Sequence, residues 1–183
     1  MKKSEVSIKN SGLVEWLSDR LEDFEPKKIV ILGNGHFDGP LEPGAEQLAL
    51  FLELAKEMGG LDVVFQDPVI TETEKSWLKS RKIDIRPESD LEILIEKNTI
   101  IGIIHGEHEI LEQFLEFNSK NFEKIALLGN NYGSINLALM KNIDDSKIQR
   151  FFEDSDVFLI PPKIWDQSNA FSDTCLVKMR KNL

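Results

Sequence analysis

The chain has 183 residues, 41% hydrophobic and 30% charged, with a formal net charge of −10 and one cysteine, Cys175. That mixture and length fit one globular domain with a substantial core, and the lone cysteine excludes an internal disulfide framework or a cysteine-rich zinc site. The acidic body argues against DNA binding through a basic face, and no apolar run suits a membrane span or a secretory signal, so the expectation is a monomeric cytoplasmic protein with no membrane or DNA partner.

In chain order, residues 1–10 read as a flexible arm. A helix is predicted from Ser11 to Phe24, with Leu13, Leu17, Leu21 and Phe24 on one face, Ser11 as cap and Pro26 as stop. Lys28 to Leu32 is a β-branched run without polar alternation, the signature of a strand buried on both faces, and it runs into Gly33-Asn34-Gly35. Pro43 opens a second helix with Leu48, Leu52, Ala55 and Met58 as its stripe, and Gly59-Gly60 end it. Leu61 to Phe65 is the next buried strand, followed by Gln66-Asp67-Pro68. Thr71-Glu72-Thr73-Glu74 then reads as a capping box starting a helix that carries Trp77 and Leu78.

A short strand is expected near Lys82 to Ile85 and a helix near Asp90 to Glu96. Thr99 to Ile104 is a third strong strand, stopping at His105-Gly106, and the following helix carries Ile110, Leu111, Phe114, Leu115 and Phe117. Lys124 to Leu128 is a fourth strong strand, ending at Gly129-Asn130-Asn131. A helix near Ser146 to Phe152 and a last buried strand, Val157 to Ile160, stopped by Pro161-Pro162, complete the series, and residues 176–183 read as a basic tail. The alternation predicts a single α/β domain over residues 1–183, a Rossmann-like three-layer fold with a mainly parallel sheet flanked by helices. Right-handed crossovers would gather the strand ends on one edge, where open α/β sheets bind ligands. The candidate edge cluster is Gly33, Gly35, His36, Phe37, Asp67, His105, Asn130 and Tyr132.

The chemistry open to that edge is limited. Gly33-x-Gly35 permits tight turning, but the dinucleotide fingerprint wants a third glycine opening directly into a helix, and here it is displaced to Gly39 with Pro40 and Pro43 following. Asp67 sits where a ribose-binding acid can lie, or is merely part of an Asp-Pro turn. His105-Gly106-Glu107-His108-Glu109, joined by His36, offers imidazoles and carboxylates, yet it also reads as an exposed first helical turn where acids suit the dipole, so no metal is expected. No G-x-S-x-G elbow is present and no catalytic residue is assigned. Three readings stay open: a small-ligand enzyme or nucleotide- or adenosyl-cofactor-binding protein at this edge, a surface-docking protein, and motif residues that only hold the fold.

The ordered motifs Gly33-Asn34-Gly35-His36-Phe37, Gln47-Leu48-Ala49, Asp67-Pro68 with Thr71 and Glu74, Ile104-His105-Gly106, Asn118, Gly129-Asn130-Asn131-Tyr132 and Phe171-Ser172-Asp173-Thr174-Cys175 span residues 28 to 178. In that series the chain resembles the SRR-type domain family, named for sensitivity to red light reduced, and the resemblance adds Asp173 to the candidate edge cluster. It departs from the family at Ile104, Gly106 and Asn131, where the family carries Pro, Cys and Ser, and at Val177-Lys178. Reduced members of the family resemble a microsporidian ribosome dormancy factor. The resemblance implies a cytoplasmic, ribosome-associated hibernation factor, without a cofactor, that occupies the tRNA exit site and mRNA exit path of the small subunit. Its partners would be small-subunit proteins and ribosomal RNA. On an acidic body, contacts to RNA are expected from Lys2, Lys3, Lys27, Lys28, Lys178, Arg180 or Lys181.

Overall fold

Strand β1 (Lys28–Leu32) divides the core in two, because its side chains alternate across the sheet: Ile29 and Ile31 enter one hydrophobic cluster, Val30 and Leu32 the other. The computed structural model describes residues 1–39, 42–87, 92–132 and 146–180. Within them β1 pairs in parallel with β2 (Asp62–Gln66) and β4 (Thr99–Ile103), β2 with β3 (Asp84–Ile85), and β4 with β5 (Ile125–Asn130). Two more strands, β6 (Ser155–Leu159) and β7 (Thr174–Met179), complete a sheet of order β3-β2-β1-β4-β5-β7-β6, in which β7 is antiparallel to both neighbours. The fold is the expected α/β, Rossmann-like one, mainly parallel and flanked by helices.

The helices α1 (Lys2–Asn10), α2 (Leu13–Leu21), α3 (Gly44–Glu57) and α4 (Glu72–Ser80) pack with the Ile29 and Ile31 face. The helices α5 (His108–Phe117) and α6 (Lys147–Glu153) cover the Val30 and Leu32 face. Helix α3 is central: Leu48, Ala49, Leu50 and Leu54 are fully buried, and the Phe51 ring lies against Gly102 of β4 so closely that a Cβ there would sit 2.2 Å from it. Only glycine admits that ring. Among the described residues no helix is long and apolar enough to cross a membrane.

The structure departs from the expected elements in four places. Residues 2–10 form α1 rather than a flexible arm. A nine-residue helix is marginal alone, but Ile8 is fully buried against the core, Glu5 pairs with Arg81 at 2.8 Å, and Ser7 donates to Gln167. The helix expected from Ser11 to Phe24 starts at Leu13, after Gly12 at φ 80°, and tightens to a 3₁₀ turn at Glu22–Phe24; Leu13, Leu17 and Leu21 are buried as the spacing requires. Residues 92–96 are not helical, residues 90 and 91 lying outside the described ones: Ile93 and Ile95 are buried and the fully buried Asn118 holds that backbone, donating to Ile93 O at 2.9 Å and accepting from Ile95 N at 2.8 Å. Towards the C-terminal end, residues 176–179, expected in a tail, belong to the inner strand β7 with Leu176 and Val177 fully inaccessible, and the strand expected to be buried at Val157 to Ile160 is instead the edge strand β6, whose Val157 and Leu159 are exposed because nothing pairs beyond it.

Candidate functional site

The turn after β1 is a loop whose amides face the protein's own acceptors. Gly33 (φ 62°) and Gly35 (φ 71°) take left-handed backbone, which turns successive N–H groups to one side. Gly33 N donates to Gln66 O at 3.0 Å, Gly35 N to Asp67 Oδ2 at 2.7 Å, and Phe37 N to Glu74 Oε1 at 2.6 Å. Asp67, 3% exposed, also accepts from Val69 N through Oδ1 at 2.8 Å, so both its oxygens serve backbone amides. The loop therefore encloses carboxylates that the chain itself supplies, in the position where a phosphate-binding loop would hold its ligand. At the start of α3 the carbonyl oxygens of Asn34 and His36 crowd Gly44: a Cβ there would lie 2.7 and 2.4 Å from them. Those oxygens turn negative charge, not positive, toward that helix end.

Glu74 fixes this arrangement from 37 residues away in sequence. It is the N3 acid of the predicted capping box, and both box bonds form: Thr71 Oγ1 accepts from Glu74 N at 3.1 Å and Glu74 Oε2 from Thr71 N at 2.9 Å. Burial pushes the Glu74 carboxyl up, but the amides of Thr71 and Phe37 and the His36 ring outweigh it and hold the group below its ordinary value. His36, its side chain 41% exposed, points Nδ1 at Glu74 Oε2 across 3.3 Å, and that hydrogen bond raises its pKa above the usual imidazole range. Phe37 is buried edge-on to Phe65 and Trp77, with centroids 6.0 and 5.5 Å away.

A second group forms where β4, β5 and the start of β7 meet. His105 (φ 57°) and Asp173 (φ 52°) both hold left-handed backbone without being glycine, a strained state that needs its surroundings to maintain it. Asn130 does so at His105, accepting from His105 N at 2.8 Å and donating to Gly106 O at 3.2 Å; Asn131 N donates to Asp173 O at 2.9 Å. Asn130 also reaches the hydroxyl of Tyr132, which is buried perpendicular to Phe152.

His105 Nε2 lies 3.3 Å from Ser172 Oγ, the spacing of a nucleophile and its base, but also 3.1 Å from Ser172 O. A carbonyl oxygen only accepts, so Nε2 carries a proton and cannot take one from the hydroxyl, which donates instead to Asn169 O at 3.1 Å. The pair is a turn clasp. Cys175 is no nucleophile either: burial, then the Asp173 charge, push its thiol up to about 12.

Beside this group lies a cleft of about 820 Å³ at the carboxyl edge, between α1, the start of α3 and the 167–172 turn, lined by Lys3, Glu42, Glu46, His105, Ser168 and Ser172 among others. Of the nine expected edge residues only His105 lines it. Gly33, Gly35, His36, Phe37 and Asp67 form the loop group, and Asn130, Tyr132 and Asp173 support the turn. The segment His108-Glu109 opens α5, where the two side chains pair with each other at 3.2 Å.

The basic candidates separate. Lys2 and Lys3 are exposed on α1. At the opposite, amino edge of the sheet Lys27 and Lys28 line a groove of about 460 Å³ with Lys82 and Lys97, facing Asp62, Asp84 and Glu96. Lys178, its side chain 13% exposed, is engaged by Asp23 and by Arg20 O, whereas Arg180 touches Glu153 O, Ser155 O and Asp156 but keeps its side chain 57% exposed. Lys181 lies outside the described residues.

The SRR1 domain model matches residues 12–178, nearly the whole chain. The chain belongs to that family. A search of curated proteins finds no match to this SRR1 domain. Solved structures with a similar chain path include Thermoplasma acidophilum 1320 (TM-score 0.48, 13% identity, covering 100% of this chain and 98% of that one). Others are the methyltransferase domain of bacterial CtHen1 (0.48, 15%, 93% and 99%) and the plantazolicin methyltransferase BpumL in complex with SAH (0.44, 15%, 98% and 90%). At those identities the likeness is one of fold alone.

Sequence reasoning missed two residues that organise this SRR1 domain's edge. Glu74 was legible as a helix cap, but its second task, receiving the Phe37 amide, is a tertiary contact with no local signal. Ser172 was seen only as part of a motif, and its clasp on His105 depends on β7 entering the sheet beside β5.

Proposed function

We propose that this SRR1 domain is a ribosome-binding dormancy factor of the cytoplasm, which blocks translation by occupying the tRNA exit site and mRNA exit path of the small subunit. The observation that carries this reading is the internal satisfaction of the carboxyl edge. The amides of Gly33, Gly35 and Phe37 hold the chain's own oxygens, and the protonated Nε2 of His105 holds a carbonyl. An edge so engaged suits a protein that works by its surface, and blocking by occupancy requires no chemistry.

The charge pattern supports the same reading. An acidic body complements basic ribosomal proteins and accelerates encounter with them. RNA phosphate would be met by Lys2 and Lys3, exposed on α1, by Lys27 and the half-buried Lys28 at the amino edge, and by the exposed Arg180, rather than by Lys178, which is held within the fold. Co-sedimentation tests the proposal. Tagged protein added to purified small subunits in a low-salt gradient should migrate with them and be released as salt rises. Protein that stays wholly in the ribosome-free fraction at low salt overturns it.

A second reading rests on the 820 Å³ cleft, whose size suits a small polar ligand and whose position matches the ligand edge of open α/β sheets. Such a ligand, a nucleotide or an adenosyl compound, would contact His105 and Lys3 rather than Asp67. Thermal denaturation with these compounds at millimolar concentration tests it: binding to the native state must raise the midpoint, and an unchanged midpoint rejects this reading.

A further inference from the structure

We propose that His36, Asp38 and Glu74 form a divalent-cation site that clamps the loop after β1 to the start of α4. One ligand atom from each lies within 4.8 Å of the others, so an ion placed among them is reached by small side-chain rotations. Their chemistry is mixed, one imidazole nitrogen and two carboxylate oxygens, a set that suits Zn²⁺ or Mn²⁺ with water in the remaining positions.

Glu74 is built for the part. It is 1% exposed, and two backbone amides hold it: Phe37 N on Oε1 and Thr71 N on Oε2. A carboxylate offers about four lone-pair sites, so coordination at the Oε2 lone pair facing His36 leaves both amide bonds intact. Those amides then orient the ligand as outer partners do in metal sites. The ion would take the place of the contact between His36 Nδ1 and Glu74 Oε2, which are 3.3 Å apart.

Charge and access point the same way. Glu74 and Asp38 bring two negative charges, with Glu42 near enough to act on His36, against one imidazole. Asp38 is exposed and the His36 side chain is 41% exposed, so an ion enters from solvent without unfolding the loop. The histidine pair expected from sequence to offer ligands, His105 and His108, is not part of the cluster.

The proposal stands apart from the ribosome reading, and its test touches neither ribosomes nor nucleotides. Protein stripped with chelator and dialysed is titrated with ZnCl₂, and separately with MnCl₂, by calorimetry. One ion per chain is expected for at least one of the two metals, with a rise in thermal midpoint of about 5–10 °C at a hundredfold excess over the Kd. His36→Gln and Asp38→Asn, both at solvent-accessible positions, should each weaken binding by at least about tenfold, and His108→Gln should leave it unchanged. Co²⁺ substituted into the wild type should show visible d–d bands that His36→Gln removes. Absence of uptake of both metals at millimolar concentration, or uptake undiminished in His36→Gln, overturns the site.

Discussion

Replacing Asp67 by asparagine separates a structural acid from a ligand-binding one. The side chain keeps its shape, but one of two oxygens becomes an NH₂ group. Both oxygens now accept backbone amides, Gly35 N at 2.7 Å and Val69 N at 2.8 Å, and the residue is 3% exposed. In Asp67→Asn one amide keeps a neutral acceptor and the other faces a second donor. A hydrogen bond to a charged group is worth about 1.5–3 kcal/mol, and an amide left without an acceptor adds to the loss, so the variant should be less stable by about 2–4 kcal/mol. For a chain of this size that lowers the thermal midpoint by on the order of 10 °C. Urea denaturation followed by circular dichroism measures it, and the slope with denaturant should not change, because the same surface is exposed on unfolding. A loss below about 0.5 kcal/mol would refute the reasoning, since it would mean that an oxygen of Asp67 is free for a ligand and that the loop amides do not depend on it.

Three further outcomes follow from packing and burial. Gly102→Ala drives a methyl into the Phe51 ring and should cost about 1–3 kcal/mol in the same urea assay, with Phe51→Leu, which vacates the space, restoring part of the loss. Ile8→Ala should cost about 2–5 kcal/mol, whereas a frayed arm would give no loss. Cys175, with its thiol at about 12, should resist a thiol-specific chromogenic reagent in native buffer at pH 8 and react at once in denaturant; rapid labelling of the folded protein would contradict the burial of β7.

The elements legible in sequence were those whose signals are local. Strands β1, β4 and β5 are short runs that are apolar on both faces and end in turn residues, which together mark a buried strand. The capping box at Thr71 is written in four consecutive residues, and both its bonds are present. The elements missed draw their stability from elsewhere in the chain. Helix α1 has a single buried apolar residue, Ile8, and is further held by Glu5 on Arg81 and Ser7 on Gln167. The segment at Ile93 and Ile95 was expected to be helical, but its burial alternates with a period of two, and Asn118 takes its backbone hydrogen bonds. Strand β7 was hidden because Lys178 and the polar turn before it resemble a solvated end; its partner β5 satisfies it only after the chain returns antiparallel.

The site divides along the same line. Sequence placed the glycine loop, Asp67 and His105 at one edge, since strand ends in a parallel sheet gather there, and the family resemblance added Asp173. It did not reveal that the loop's amides already hold acceptors, because Glu74 reaches Phe37 and Asp67 reaches Gly35 only once β1, β2 and α4 are assembled.

The position of β7 has a consequence for synthesis. The strand that fills the gap between β5 and β6 comes after all the other described elements in chain order. During translation β5 and β6 are both made before the strand that joins them, so the emerging polypeptide presents open, apolar strand edges of the kind that invite pairing with other chains. The last described strand thus closes the sheet in one cooperative step, and a chain stopped before residue 174 should be recovered as an aggregate or bound to a chaperone.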